Sequence, residues 1–149
     1  MTARWRLRLL GGFELVRVDA AAAQLPRRPT RQMQLLLARL ALGGEREHPR
    51  EELIELLWPG APSVVARNRL RQALSTLRAL LEAGDDRMIA ADRHALRLLP
   101  GALDTDVDAF VTAVRAGRHE AARALYRGEL LPGHFATTGC SKIGGIWAP

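Results

Sequence analysis

Residues 66–81 read ARNRLRQALSTLRALL, in which four arginines, an asparagine and a glutamine are threaded through leucines and no acid follows until Glu82. At 100° per residue Leu70, Leu74, Leu77 and Leu81, with Ala66 and Ala73, gather on one side, which gives a helix with a core face. Asn68, Gln72 and Ser75 lie opposite. Arg69 and Thr76 occupy one flank, Arg71 and Arg78 the other, and Arg67 falls nearer the core boundary. These are side chains suited to reading DNA: arginine pairs with guanine O6/N7, asparagine or glutamine with adenine, and hydroxyls with base edges or phosphates. A solvated helix usually interleaves glutamates with its arginines for i,i+4 support, and this one does not.

Working outward, Ser63 is a candidate N-cap for this helix, which is expected to end near Gly84. Upstream, PREELIELLW from Pro49 reads as a short helix with Glu51 and Glu52 suited to the dipole at its start and Trp58-Pro59-Gly60 ending it. Before that, Met33, Leu36, Leu37 and Leu40 keep helical spacing after a Thr30 cap, and Gly43-Gly44 stops the run. Residues 5–10 (WRLRLL) and 13–18 (FELVRV) alternate apolar and charged side chains around Gly11-Gly12, a hairpin pattern, and a third strand is expected near Gln24-Leu25. Downstream, RMIAADRHALRLL (87–99) carries two apolar runs around Asp92-Arg93, the signal of a second hairpin. Strands, three helices and a hairpin make an α+β chain of the winged helix-turn-helix kind, with the last hairpin as the wing.

The composition agrees with a nucleic-acid partner. The 149 residues are 48% apolar, enough for a core, and carry a net charge of +6. Residues 1–82 hold 14 arginines against 8 acids, whereas residues 83–149 hold 7 arginines and one lysine against 8 acids. All the excess lies in the first part, which points to a polyanion. No apolar run approaches bilayer length, and arginines interrupt the only N-terminal segment resembling a signal core, so no membrane role and a cytoplasmic location are expected. Cys140 is the single cysteine. It allows no internal disulfide and no cysteine-based metal cage.

In order, LRLLGGFEL, TRQMQLLLARLAL, REELIELLWPGAP and ARNRLRQALSTLRALL resemble the OmpR-type winged-helix domain of the Streptomyces antibiotic regulatory protein and AfsR-like activators, from Trp5 to about Pro100. DVDAF (106–110) and ALYRGELLPG (124–133) resemble the opening of the bacterial transcriptional activator domain of that family, which is built from tetratricopeptide-type helical hairpins. The resemblance implies a DNA-binding domain over 1–100, a truncated activator domain over 101–134 and an irregular tail over 135–149. It implies a sequence-specific activator of transcription that binds double-stranded DNA at direct repeats, with contact to RNA polymerase and a homodimer on those repeats. The third helix would enter the major groove and the wing an adjacent minor groove. Carried over by position, the candidate DNA contacts are Asn68, Arg69, Arg71, Gln72, Ser75 and Arg78, with Arg87, Arg93 and His94 on the wing. Thr30 and Arg31 would meet a phosphate at the start of the first helix, although capping alone explains Thr30.

Other chemistry finds little support. Asp104, Asp106 and Asp108 form D-x-D-x-D, but Ala109 stands where a calcium loop needs glycine and Arg115 where it needs glutamate, so these acids are expected to start a helix. His48, His94, His119 and His134 have no partner at zinc-ligand spacing and are expected as surface or capping residues. There is no phosphate-cradling glycine loop followed by Lys and Ser/Thr, and no G-x-S-x-G. The expectation is a non-enzyme without cofactor.

Phe110, Val114, Ala121, Leu125 and Leu130 fit two short helices flanking Ala116-Gly117, the start of a helical-repeat module whose apolar face needs a neighbour. This supports the alternative: a truncated protein-interaction fragment whose basic helix is a solvated face. After His134 the family pattern fails. FATTGCSKIGGIWAP holds the only lysine and the only cysteine and has no period, which leads to the expectation of a truncated or frame-shifted end.

Overall fold

The structure, a computed structural model, describes residues 5–17, 29–43, 46–82, 87–99, 101 and 103–131. Among them run β1 (Trp5–Arg8), β2 (Glu14–Arg17), α1 (Arg31–Leu42), β3 (His48–Pro49), α2 (Arg50–Leu57), α3 (Ser63–Leu81), β4 (Ile89–Ala91), β5 (Ala95–Leu98), β6 (Leu103–Thr105), α4 (Asp106–Arg115) and α5 (His119–Leu125). The class is mixed α+β. Contacts group the elements into two units, one built from β1, β2, β6, α4 and α5, the other from α1, β3, α2, α3, β4 and β5. Among the described residues no helix is long and apolar enough to cross a membrane.

The unit containing α3 is built around leucines. Leu36, Leu37 and Leu40 of α1, Leu53 of α2, Leu70 and Leu77 of α3, and Leu96 of β5 are all almost wholly buried. Their i, i+3, i+4 spacing turns one face of each helix inward, which is where most helical stability in a protein arises. Thr30 caps α1, its Oγ1 accepting from the Met33 amide at 3.3 Å. Pro62, rather than Ser63, occupies the cap position of α3; Ser63 is the first helical residue and Pro62 offers no side-chain cap. Pro49 likewise precedes α2 as its cap residue, since it pairs in β3.

The expected hairpin is present as β4 and β5, paired Ile89↔Leu98 to Ala91↔Leu96. Two strands have no counterpart in the sequence pattern, β3 and β6; of these, β3 pairs antiparallel with β5 through His48↔Leu96 and Pro49↔Ala95 and makes the sheet three-stranded, in the order β3-β5-β4. Against the expectation of a surface or capping residue, the His48 ring is buried, with no hydrogen bond to either nitrogen among the described residues, and it lies against Gly43, where a Cβ would overlap it. Burial, helped by Arg39 and Arg46 and opposed by Glu52, holds its pKa below the usual 6.5.

In the other unit β1 pairs antiparallel with β2, as the alternation predicts, and parallel with β6, giving the order β2-β1-β6. β1 thus takes as its second neighbour a strand that follows β5 in the chain. Just beyond this pairing the Asp106 carboxylate accepts from the Leu9 amide at 2.9 Å and the Leu10 amide at 3.0 Å. Gly11, at φ +89°, passes close over Arg127, and its amide donates to the Glu129 carbonyl at 2.8 Å. Of the three aspartates, Asp104 lies in β6, while Asp106 and Asp108 open α4, where Thr105 Oγ1 caps the Asp108 amide. The two helices flanking Ala116-Gly117 are α4 and α5. The expected strand near Gln24-Leu25 and the tail from His134 lie outside the described residues.

Candidate nucleic-acid interface

Helix α3 separates its two chemistries as the wheel requires. Ala66, Leu70, Ala73, Leu74, Leu77 and Leu81 are buried. Asn68, Arg69, Arg71, Gln72 and Ser75 are exposed. Among the described residues none of these five side chains has a hydrogen-bond or ion-pair partner, so their donors and acceptors stand free for a ligand. Asn68, Arg71, Gln72 and Ser75 follow i, i+3, i+4, i+7 and form one stripe along the helix. Thr76 spends its hydroxyl proton within the helix, on the Gln72 carbonyl at 2.9 Å.

Two other arginines of α3 serve the fold. Arg67 pairs with Glu51 of α2 at 3.2 Å, both side chains largely exposed, which is a weak tie between the two helices. Arg78, read from the sequence as a DNA contact, is half-buried: its Nη2 donates to the Ile89 carbonyl at 3.1 Å and its Nε lies 3.9 Å from Glu82, beyond hydrogen-bond range. Its guanidinium is committed to the hairpin because the side chain leaves the last turns of α3 beside β4.

Glu82 does more than end the acid-free stretch. Its Oε1 accepts from the amides of Met88 and Ile89 at 2.8 and 2.9 Å. Arg78 and Glu82 thus hold the start of β4 by three contacts to its backbone.

At the hairpin tip Arg93 and His94 are exposed, as is Arg87 before β4. The tip is ordered by Asp92, whose Oδ1 accepts from the His94 and Ala95 amides at 2.7 and 2.8 Å. Those two bonds hold its carboxyl below the usual carboxylate range. Arg50, the first residue of α2, braces the same turn: its Nε donates to the Asp92 carbonyl and its amide to the His94 carbonyl.

Thr30 and Gln32 at the start of α1 share a shallow hollow of about 270 Å³ with Met33, Trp58, Arg69, Gln72 and Thr76. The hollow joins the capped N-terminus of α1 to the flank of the α3 stripe, a suitable cradle for an anion. Arg31 is exposed beside it. Sequence reasoning used Trp58 only as a helix stop; its place beside Thr30 and Arg69 follows from the packing of α1, α2 and α3 and has no signature in spacing. A larger concavity of about 560 Å³ lies in the unit of β1 and α4, but there Arg6, Arg8, Arg118 and Arg127 alternate with Asp104, Asp106 and Asp108. Its mixed charge lacks the single sign that a polyanion requires. No group of three or more His, Cys, Asp or Glu able to hold a metal occurs among the described residues.

No family model and no curated protein matches the chain. Among solved structures it resembles Mycobacterium tuberculosis EmbR in complex with a low affinity phosphopeptide, with a TM-score of 0.63 and 26% identity over 86% of this chain. The chain is similar to EmbR. It spans 37% of that chain, little more than a third of its length. The likeness to EmbR supports the OmpR-type, antibiotic-regulator-like fold that the sequence motifs imply.

Proposed function

We propose that this chain is a sequence-specific DNA-binding regulator of transcription, a winged helix without enzymatic activity that reads the major groove with α3. The observation that carries the reading is the exposed stripe of Asn68, Arg71, Gln72 and Ser75, unpartnered among the described residues, on a helix whose leucine seam is buried. Arg69 and the hollow at Thr30 suit the phosphate strand beside the groove, with Arg31 adjacent. Arg87, Arg93 and His94 suit a wing that touches backbone or minor groove. A regulatory role agrees with the likeness to EmbR. Activation through RNA polymerase, a homodimer on direct repeats and a cytoplasmic setting complete the proposal by resemblance to the antibiotic regulatory proteins.

A salt titration of binding to promoter DNA tests it. Affinity should fall along a log-log line with a slope of roughly −0.9 per phosphate contacted. Absence of binding at about 50 mM salt would end the DNA reading.

A second reading has its own observation. Val114 and Tyr126 are 46% and 47% exposed on α4 and just after α5, and the Tyr126 ring lies tilted against Phe110 with centroids 5.8 Å apart. Such a face favours a protein-interaction role for the unit of α4 and α5. If the chain binds no DNA while this face retains a protein ligand, the interaction-fragment reading replaces the first.

A further inference from the structure

Val64 is 70% exposed, the most exposed large apolar side chain among the described residues. It is the second residue of α3 and stands at i to Asn68, Arg71 and Ser75 at i+4, i+7 and i+11. It therefore heads the polar stripe rather than the leucine seam. Valine there does nothing for the helix: a β-branched residue is a poorer helix former than alanine, and this one buries little of its surface. The first turn of α3 also carries no acid, in contrast to Glu51 and Glu52 in α2, so no carboxylate is present there to accept from a cytosine amino group.

A recognition helix brings its N-terminal residues to the base edges. The one apolar group that those edges present in the major groove is the C5 methyl of thymine. We infer that Val64 is a specificity-determining residue that reads a thymine methyl at the operator position facing the start of α3. This rests on the DNA reading above and adds to it the identity of one base. Asn68 and Gln72 hydrogen-bond the neighbouring bases, and Val64 closes the end of the stripe by excluding water from the methyl.

The test uses the full chain and a duplex selected from random DNA, with each thymine in turn replaced by deoxyuridine, which removes only the methyl. At one thymine the wild-type chain should lose roughly fourfold in affinity, the value of one buried methyl group. Val64→Ala, which withdraws two methyl groups from the contact, should narrow the difference between thymine and uracil duplexes, and Val64→Ile should keep it. The exposure of Val64 leaves the fold of these variants intact. The inference is overturned if no thymine methyl affects wild-type binding, if Val64→Ala retains the same penalty, or if the selected site has no thymine. Each of those results leaves DNA binding itself standing. A chain that binds no duplex at all removes both readings.

Discussion

The guanidinium of Arg78 donates to the carbonyl of Ile89 across 3.1 Å, joining the last turns of α3 to the first residue of β4. A side chain that the wheel places on the flank of the reading face is therefore a fastener between helix and hairpin. Arg78→Ala should lower stability by about 1 kcal/mol, a charged hydrogen bond discounted for partial exposure, and lower the melting temperature by roughly 4–8 °C. Its salt slope for DNA should equal that of the wild type. A slope reduced by about one would restore Arg78 to the phosphate contacts.

Arg71 and Gln72 should respond differently. Arg71→Ala is expected to reduce the salt slope by about 0.9 if it grips phosphate, or to relax one guanine position if it reads a base. Gln72→Ala should relax base preference at one position, with a discrimination loss of about 1–3 kcal/mol. Selection from randomised sites separates the two effects; unchanged preference in the Gln72 variant removes its assigned role.

His48 makes the α1–α3 unit sensitive to acid. Its folded pKa is lowered, so the unfolded chain binds the proton more readily. The stability it contributes is fully present above the unfolded value and is lost as pH falls through the lower folded value. Denaturant melts from pH 7 downward should show this decline, and His48→Phe should flatten it. Gly43→Ala, which drives a methyl into the same ring, should cost about 1–3 kcal/mol, and His48→Ala added to it should recover part of the loss.

Asp106→Ala leaves the amides of Leu9 and Leu10 buried without acceptors. The expected cost is about 2–4 kcal/mol, measured by urea unfolding, with Asp106→Asn intermediate because its amide oxygen can still serve one of the two donors. An Asn variant as damaged as the Ala variant would show that charge matters more than the count of acceptors.

Periodic features were readable in advance, and tertiary partners were not. The seam of Leu70, Leu74 and Leu77 and the capping by Thr30 follow from spacing and local chemistry. So does the β4–β5 hairpin around Asp92. By contrast, β3 has two residues and β6 three, too few to show a period, and each exists because a distant strand offers a ladder. A wheel gives an angle and no reach, so it could not show Arg78 bending towards Ile89 or Arg67 towards Glu51. Val64 was hidden differently: it precedes the 66–81 stretch, and although its spacing to Asn68, Arg71 and Ser75 sets it on the polar stripe, only its exposure shows that nothing covers it. Asp106 looked like one of three acids at a helix start. Its partners lie almost a hundred residues earlier.

That separation has a consequence for biosynthesis. The hairpin of β1 and β2 is synthesised before the rest of this fold, and two strands alone are marginal in water. Its third strand, β6, and the carboxylate that binds Leu9 and Leu10 follow only after α1 to β5 have been made. The α1–β5 unit is continuous in sequence and can fold while translation proceeds, whereas the first strand has to wait, exposed, for a late-arriving residue to complete it. Translation that halts before Asp106 would release a nascent chain in which α3 is formed and the unpaired edge of β1 is still an aggregation hazard.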